Sequence, residues 1–285
     1  MPDATTQLAL SVIAPAHDER DNVARLVEEV EREARRTAEA LGAPGNSFEF
    51  VLVDDGSTDD TRSLAIDLAR SRPWMRVIAM TDTPPGKGHG QSAAFLAGFR
   101  AARGRVITVL DADLQNDPAE MPAMARLLRE RDADMVQGDR SANRRDNAVR
   151  KAGSVVGRLF RRWILADTIR DTGCSLRLMK RELALAIPLQ FRGMHRFMPV
   201  TARHLGYTVL EMPVSHRPRA AGTTKYGMGI TQRAIPGLVD CFAVRWMRTR
   251  RRPVASVECT PEAARRALQN RGARGEPAQA SEARA

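Results

Sequence analysis

The 285-residue chain has no CxxC pair and no close cysteine cluster: its three cysteines, Cys174, Cys241 and Cys259, are scattered. That spacing excludes a zinc ribbon, argues against a disulfide framework and fits a reducing compartment. No uninterrupted apolar run approaches the ~18 residues that suggest a spanning helix. Met1-Pro2-Asp3 opens no basic region followed by an apolar core, so no secretory signal is expected. Aromatic residues are scarce, at 5 %. With no recognisable RNA or DNA module either, specific nucleic-acid recognition is not expected. A basic nucleic-acid-binding protein remains the competing reading of another class, on charge alone. Lysine is rare as well: only Lys87, Lys151, Lys180 and Lys225 are present. The basic charge is therefore arginine, the better bidentate ligand for phosphate. There is no internal repeat and no Walker spacing GxxxxGK[ST].

What is present is enough for a full core, with 43 % apolar and 28 % charged residues. The net charge of +11 is unevenly placed: residues 1–139 hold 16 Lys/Arg against 24 Asp/Glu, and residues 140–285 hold 29 against 10. An acidic half suits a metal, and a strongly basic half suits an anionic partner. Short apolar runs at 10–14, 48–53, 76–80, 106–110 and from 135 read as strands. They alternate with helical patterns at 22–41, 59–70, 91–102 and 118–130. This alternation predicts an α/β fold, a Rossmann-like, mostly parallel sheet with helices on both faces. Further on, 147–166 and 230–247 read as helices and 207–214 as a strand.

Ligands of such sheets sit beyond the carboxyl ends of the strands, and the residues expected there are polar. Asp111-Ala112-Asp113 closes an apolar strand with Gln115 beside it. Two carboxylates two residues apart suit a hard divalent cation, Mg²⁺ or Mn²⁺, that also holds a diphosphate. Asp54-Asp55-Gly56-Ser57 follows another strand, where an aspartate can accept from a ribose hydroxyl or a nucleobase N–H. Gly86-Lys87-Gly88-His89-Gly90 precedes a helix, a setting in which backbone approaches phosphate closely.

This set of residues, Pro15-x-x-x-Glu19, Asp54-Asp55-Gly56-Ser57, Lys87-Gly88-x-Gly90 and Asp111-x-Asp113-Leu114-Gln115, resembles the family 2 glycosyltransferases of GT-A fold. The DLQ continuation, Gly138-Asp139-Arg140, Asp171-Thr172-Gly173-Cys174 and His216-Arg217-Pro218-Arg219 with Lys225 narrow the likeness. They are similar to the dolichyl- and polyprenyl-phosphate sugar transferases of the dolichol-phosphate mannose synthase type. The resemblance spans roughly residues 8–229. It implies a nucleoside pocket lined by Pro15, His17, Glu19 and Asp54, with Asp55 and Lys87 also on the donor side. It implies metal held on the donor diphosphate by Asp111, Asp113 and Gln115, with Asp113 and Arg140 catalytic. The acceptor phosphate falls to Arg140, Arg150 and Lys225. His17 and Asp18 stand where Tyr and Asn are commoner in that family, which leaves GDP and UDP open as the donor nucleotide.

The expected reaction is inverting transfer of a hexose of mannose or glucose type from a nucleotide-diphosphate sugar to a dolichyl or undecaprenyl phosphate. A phosphate monoester is already anionic near neutral pH and needs cations rather than a general base; residues 140–151 supply Arg140, Arg144, Arg145, Arg150 and Lys151. The nearest alternative keeps fold and donor and takes a saccharide or other hydroxyl as acceptor. Residues 1–229 are expected to form the catalytic domain, 230–252 a basic amphipathic helix and 253–285 a mobile tail. The stripe Ile230, Ala234, Leu238, Phe242, Trp246 fits either a core-packing face or a face lying on an anionic membrane surface. The resulting expectation is a peripheral enzyme on the cytoplasmic face of a membrane, with or without an integral membrane partner.

Overall fold

The computed structural model describes residues 8–84, 86–141, 148–218 and 230–252. One compact unit runs to Arg248. Its centre is a seven-stranded sheet of order β3-β2-β1-β4-β6-β5-β7. The strands are β1 (Leu10–Ala16), β2 (Phe48–Asp54), β3 (Met75–Ala79), β4 (Val106–Val109), β5 (Met135–Asp139), β6 (Arg177–Lys180) and β7 (Val209–Pro213). The helices are α1 (Arg20–Ala40), α2 (Thr61–Arg70), α3 (Gln91–Ala101), α4 (Met121–Glu130), α5 (Ala148–Leu165), α6 (Arg181–Ala186), α7 (Met198–His204) and α8 (Ile230–Arg250).

The near-continuous apolar runs of β1 and β2 exist because both faces of these strands are covered. Leu10, Val12 and Ala14 of β1, with Phe50 and Leu52 of β2, enter one core against α1, α2 and α4. Ile13, Val51 and Val53 point the other way, into a core shared with α3 and α5 to α8. This period-of-two division makes the sheet a partition between two cores. The amphipathic expectation for α1 holds: Val23, Leu26, Val27 and Val30 are all buried. The expected helix over 118–130 is divided into a 3-10 turn, Pro118–Glu120, and α4, with the Asp117 carboxylate accepting from Ala119 N.

The sheet is mostly parallel, and β6 is the exception. It lies antiparallel between β4 and β5, pairing Val109 with Arg177 on one side and Gln137 with Arg177 on the other. Nothing in a four-residue segment flanked by Arg177 and Lys180 reads as a strand, because its burial comes from the two strands it separates. Its reversed direction has a functional consequence. The start of β6, preceded by Cys174 and Ser175, lies at the sheet edge where β4 and β5 end.

Gly98 of α3 allows a close helix-to-sheet approach on this face: a Cβ there would lie 2.4 Å from Ile13 Cγ2 and 3.2 Å from Val53 Cγ2. Gly98→Val should therefore lower stability by about 2 kcal/mol through overpacking. Gly157→Ala, on α5 with open space around it, should raise stability by about 0.5–1 kcal/mol through helix propensity. Urea unfolding midpoints of the two variants against the parent check both signs.

Candidate active site

The carboxyl ends of β1, β2, β4 and β5 and the start of β6 meet at one edge of the sheet. Asp111 and Asp113 follow β4. The Asp113 carboxylate accepts from Gln115 N at 3.1 Å, closing a tight turn. Leu114, between them, is buried in the left-handed region at φ 61°. A non-glycine residue held there costs of order 1 kcal/mol, and the burial of its side chain offsets that strain. Asp111 Oδ1 accepts from Gln91 Nε2 at 2.6 Å, and the same amide reaches Ser175 Oγ at 3.2 Å. Burial, and then repulsion from Asp113, push the Asp111 carboxyl up to about 6, against the partial relief given by Ser175, Arg140 and Arg177.

The chemistry of this pair fits a hard cation. Among the described residues no cluster of three His, Cys, Asp or Glu side chains is poised for a metal. The chain would thus provide two carboxylates and leave the remaining positions to phosphate oxygens and water, the usual division for Mg²⁺-type ions. Gln115 is half-buried beside them, its backbone carbonyl accepting from Arg217 N at 3.0 Å.

The donor-side residues are close neighbours and already bonded to one another. Asp54 is fully buried at the end of β2, paired with Arg62 at 2.6 Å and accepting from Ser57 N. Asp55 turns its carboxylate to the glycine-rich loop: Oδ1 accepts from His89 N at 2.8 Å and Oδ2 from Gly90 N at 2.7 Å. Gly88 is required beneath that clasp. Its φ is 61°, and a Cβ would sit 2.4 Å from the Asp55 carbonyl oxygen. Lys87 is exposed on the loop so held. His17 Nδ1 lies 2.8 Å from the Asp55 carbonyl oxygen, the Glu19 carboxylate accepts from Asn22 Nδ2 at 2.7 Å, and Pro15 is half-buried beside them.

On the opposite side, Arg140 follows β5 and is clamped by Asp171, with Nε at 2.8 Å and Nη2 at 3.2 Å from its two oxygens. Burial opposes its charge, but the Asp171 pair outweighs burial and the guanidinium is held above its ordinary value. It is a permanent cation with donors remaining after the clamp. Lys225 lies outside the described residues, as do Arg144 and Arg145. Arg150 stands on α5, but its side chain is also outside them.

A model of the family described as "Glycosyl transferase family 2" matches residues 11–187. A dodecaprenyl-phosphate galacturonate synthase of Rhizobium johnstonii is 34% identical over 258 residues, 88% of this chain and 71% of that protein. The chain belongs to glycosyl transferase family 2. An undecaprenyl-phosphate 4-deoxy-4-formamido-L-arabinose transferase of Edwardsiella ictaluri is 32% identical, over 87% of this chain and 72% of that one. Among solved structures, a glucosyl-3-phosphoglycerate synthase of Mycobacterium tuberculosis superposes with a TM-score of 0.58 at 17% identity, covering 86% of this chain and 80% of that one. At that identity the superposition speaks for the GT-A fold.

Two further parts of this glycosyltransferase site are assembled only by the fold. The first is Arg177, a fully buried arginine of β6 that no carboxylate among the described residues pairs with. Its Nη1 donates to the His195 carbonyl at 2.8 Å, its Nη2 donates to the Cys174 carbonyl, and its Nε has no partner. Burial pulls it down to about 10, and its charge offsets part of that on Asp111. The second is the layer of Ser92 and His195, bonded at 2.9 Å. Burial, then Arg177 and Arg196, drive His195 down to about 3, so the ring is neutral and structural at ordinary pH. Arg217 has a different role. It bridges Glu29 and Asp117 at 2.6 Å each, and with the Asn116–His216 bridge it stitches residues 216–217 onto the turn that carries Asp113.

The raised Asp111 value carries a stability cost. The carboxyl titrates near 3.8 when exposed and near 6 when folded. Ionisation therefore costs nothing below the lower value, costs progressively more between the two, and costs the full amount above the higher one. In metal-free protein, Asp111→Asn should raise stability at pH 8 by about 1–2 kcal/mol, and the gain should shrink as pH falls toward 4. Urea unfolding in EDTA across that range checks it, and a gain independent of pH would count against the assignment.

Proposed function

We propose that the chain transfers a sugar from a nucleoside diphosphate sugar to the phosphate of a polyprenyl lipid, with inversion at the anomeric carbon. The observation that carries this reading is the match, at more than 30 % identity and over about 70 % of their length, to relatives named for dodecaprenyl and undecaprenyl phosphate. The site chemistry agrees with it. Arg140 lies across the strand ends from the Asp111–Asp113 pair, fixed by Asp171, and a phosphate monoester seated there is already a nucleophile. The relatives' names do not extend the expectation of mannose or glucose: they are a galacturonate and a formamido-arabinose. The donor sugar is therefore taken as a modified sugar of that kind, on UDP or GDP.

In this reading Pro15, His17, Glu19 and Asp54 wall the nucleoside pocket. Asp55 shapes the 86–90 loop so that its backbone and Lys87 face the diphosphate. A Mg²⁺ or Mn²⁺ ion on Asp111 and Asp113, with Gln115, would neutralise charge on the departing diphosphate. Arg140, joined by Arg150 and Lys225, seats the acceptor phosphate. Its oxygen attacks the anomeric carbon from the face opposite the leaving diphosphate, which moves away with the bonding electrons, so a single displacement inverts the centre. The unpaired thiols Cys174 and Cys241 fit a reducing compartment, and so action at the cytoplasmic face.

The test is transfer in mild detergent, with a panel of labelled UDP- and GDP-sugars, undecaprenyl phosphate and Mn²⁺ or Mg²⁺. Label should enter the organic phase, Asp113→Ala should reduce it by about 100-fold or more, and Arg140→Ala should raise the acceptor KM more than it lowers kcat. NMR of the product should show the inverted anomer. Donor binding with label passing only to added sugars would replace the lipid acceptor by a hydroxyl acceptor.

A further inference from the structure

β5 carries an amide in its interior: Gln137 is fully buried. Packing alone calls for an apolar side chain there, as at Met135, two residues earlier on the same face of the strand. A buried amide costs free energy unless its hydrogen bonds are remade inside the protein. Here the Nε2 group is shared among three carbonyls, those of Gly138 and Cys174 at 3.0 Å each and that of Asp171 at 3.2 Å. Asp171 and Cys174 belong to residues 171–176, which form neither helix nor strand and are mostly buried. A buried segment of that kind has no ladder to satisfy its carbonyls, so side chains must do so. Arg177, the register partner of Gln137 on β6, donates through Nη2 to the same Cys174 carbonyl. Two neighbouring strands thus hold one irregular segment from below.

That segment joins two parts of the site. At one end, the Asp171 carboxylate accepts from Arg140 N, Nε and Nη2 at 3.2, 2.8 and 3.2 Å, and from Gly173 N at 3.0 Å. At the other end, Ser175 Oγ shares the Gln91 amide with Asp111. The main chain of Asp171 decides where its carboxylate stands, and the carbonyl of that main chain is bound by Gln137. The Arg140 guanidinium is therefore fixed from the interior of the sheet, at a distance of two hydrogen bonds.

We propose that Gln137 is a positioning residue for the acceptor phosphate. It acts through Asp171 on Arg140, while Arg177 steadies the shared Cys174 carbonyl, and it touches neither substrate itself. The proposal rests on the reading of Arg140 as the seat of the acceptor phosphate. A displaced guanidinium meets phosphate oxygens at poorer distances and angles, so binding of the acceptor suffers first. The donor side should keep its geometry, because Asp54, Asp55 and the 86–90 loop are fixed by bonds of their own.

The experiment uses the full chain in mild detergent. Gln137→Met keeps a similar length and removes the donors. Its KM for undecaprenyl phosphate should rise about tenfold, with kcat within about threefold of the parent and with unchanged Kd for UDP or GDP in the presence of Mn²⁺. Gln137→Asn, whose amide is one methylene short, should shift KM in the same direction and takes the place of Gln137→Met if that variant does not fold. In an Asp171→Asn background, Gln137→Met should change KM by less than about twofold, because the path through which it acts is already cut. Amide hydrogen exchange adds a readout that needs no lipid: Arg140 N and Gly173 N, both donated to Asp171, should exchange faster in Gln137→Met, with β1 and β2 at the parent's rates. A fall in kcat at unchanged KM, full additivity with Asp171→Asn, or unaltered exchange at Arg140 and Gly173 would overturn the proposal. If the parent transfers nothing to lipid phosphate, the acceptor reading fails and this role of Gln137 falls with it. Transfer by the parent with KM unmoved in the variant refutes Gln137 alone.

Discussion

The end of β4 must hold two carboxylates side by side in a crevice that is only half open to water, and the rest of the site is arranged around that charge. Each feature near it supplies either compensation or geometry. Gln91 and Ser175 give Asp111 hydrogen bonds, Arg177 and Arg140 give it positive potential, and the strained turn at Leu114 holds Asp113 beside it. The compensation is incomplete, as the raised Asp111 value records. An arrangement left short of positive charge is ready for a cation, because binding one relieves a repulsion that folding has already imposed.

The same logic explains why so many site residues are bonded to each other. Asp55 holds the glycine loop by two main-chain N–H groups, Arg62 holds Asp54, and Asp171 holds Arg140. Groups fixed in this way lose little freedom when a substrate arrives, so their orientation is set before binding. Arg217 extends the fixing to residues 216–217, which it joins to α1 and to the turn bearing Asp113.

Acid and base are also divided in space. The acidic first half collects its carboxylates at the strand ends, while α5 and α8, from the basic half, present exposed rings and arginines. The two signs of charge are thus carried by different elements of one body.

The parallel direction of β1 to β4, the two-sided burial and the strand-end positions of Asp54, Asp111 and Arg140 were legible from the chain. Each is written locally: a short, near-continuous apolar run followed by a polar cluster at its end. Asp55 was legible as a polar residue at a strand end, but not as the clasp of a loop 34 residues away. β6 and Arg177 were not legible, because a short charged segment becomes a strand only by insertion between two others. Its arginine matters only because the antiparallel direction brings it beneath Asp111. The α8 stripe was legible as a pattern, but its direction was not, since periodicity marks a face without saying what covers it. Sequence alone therefore determined the elements and the chemical inventory of this protein. Tertiary structure decided which charges meet and which apolar side chains are exposed, because both depend on distances between segments that are remote along the chain.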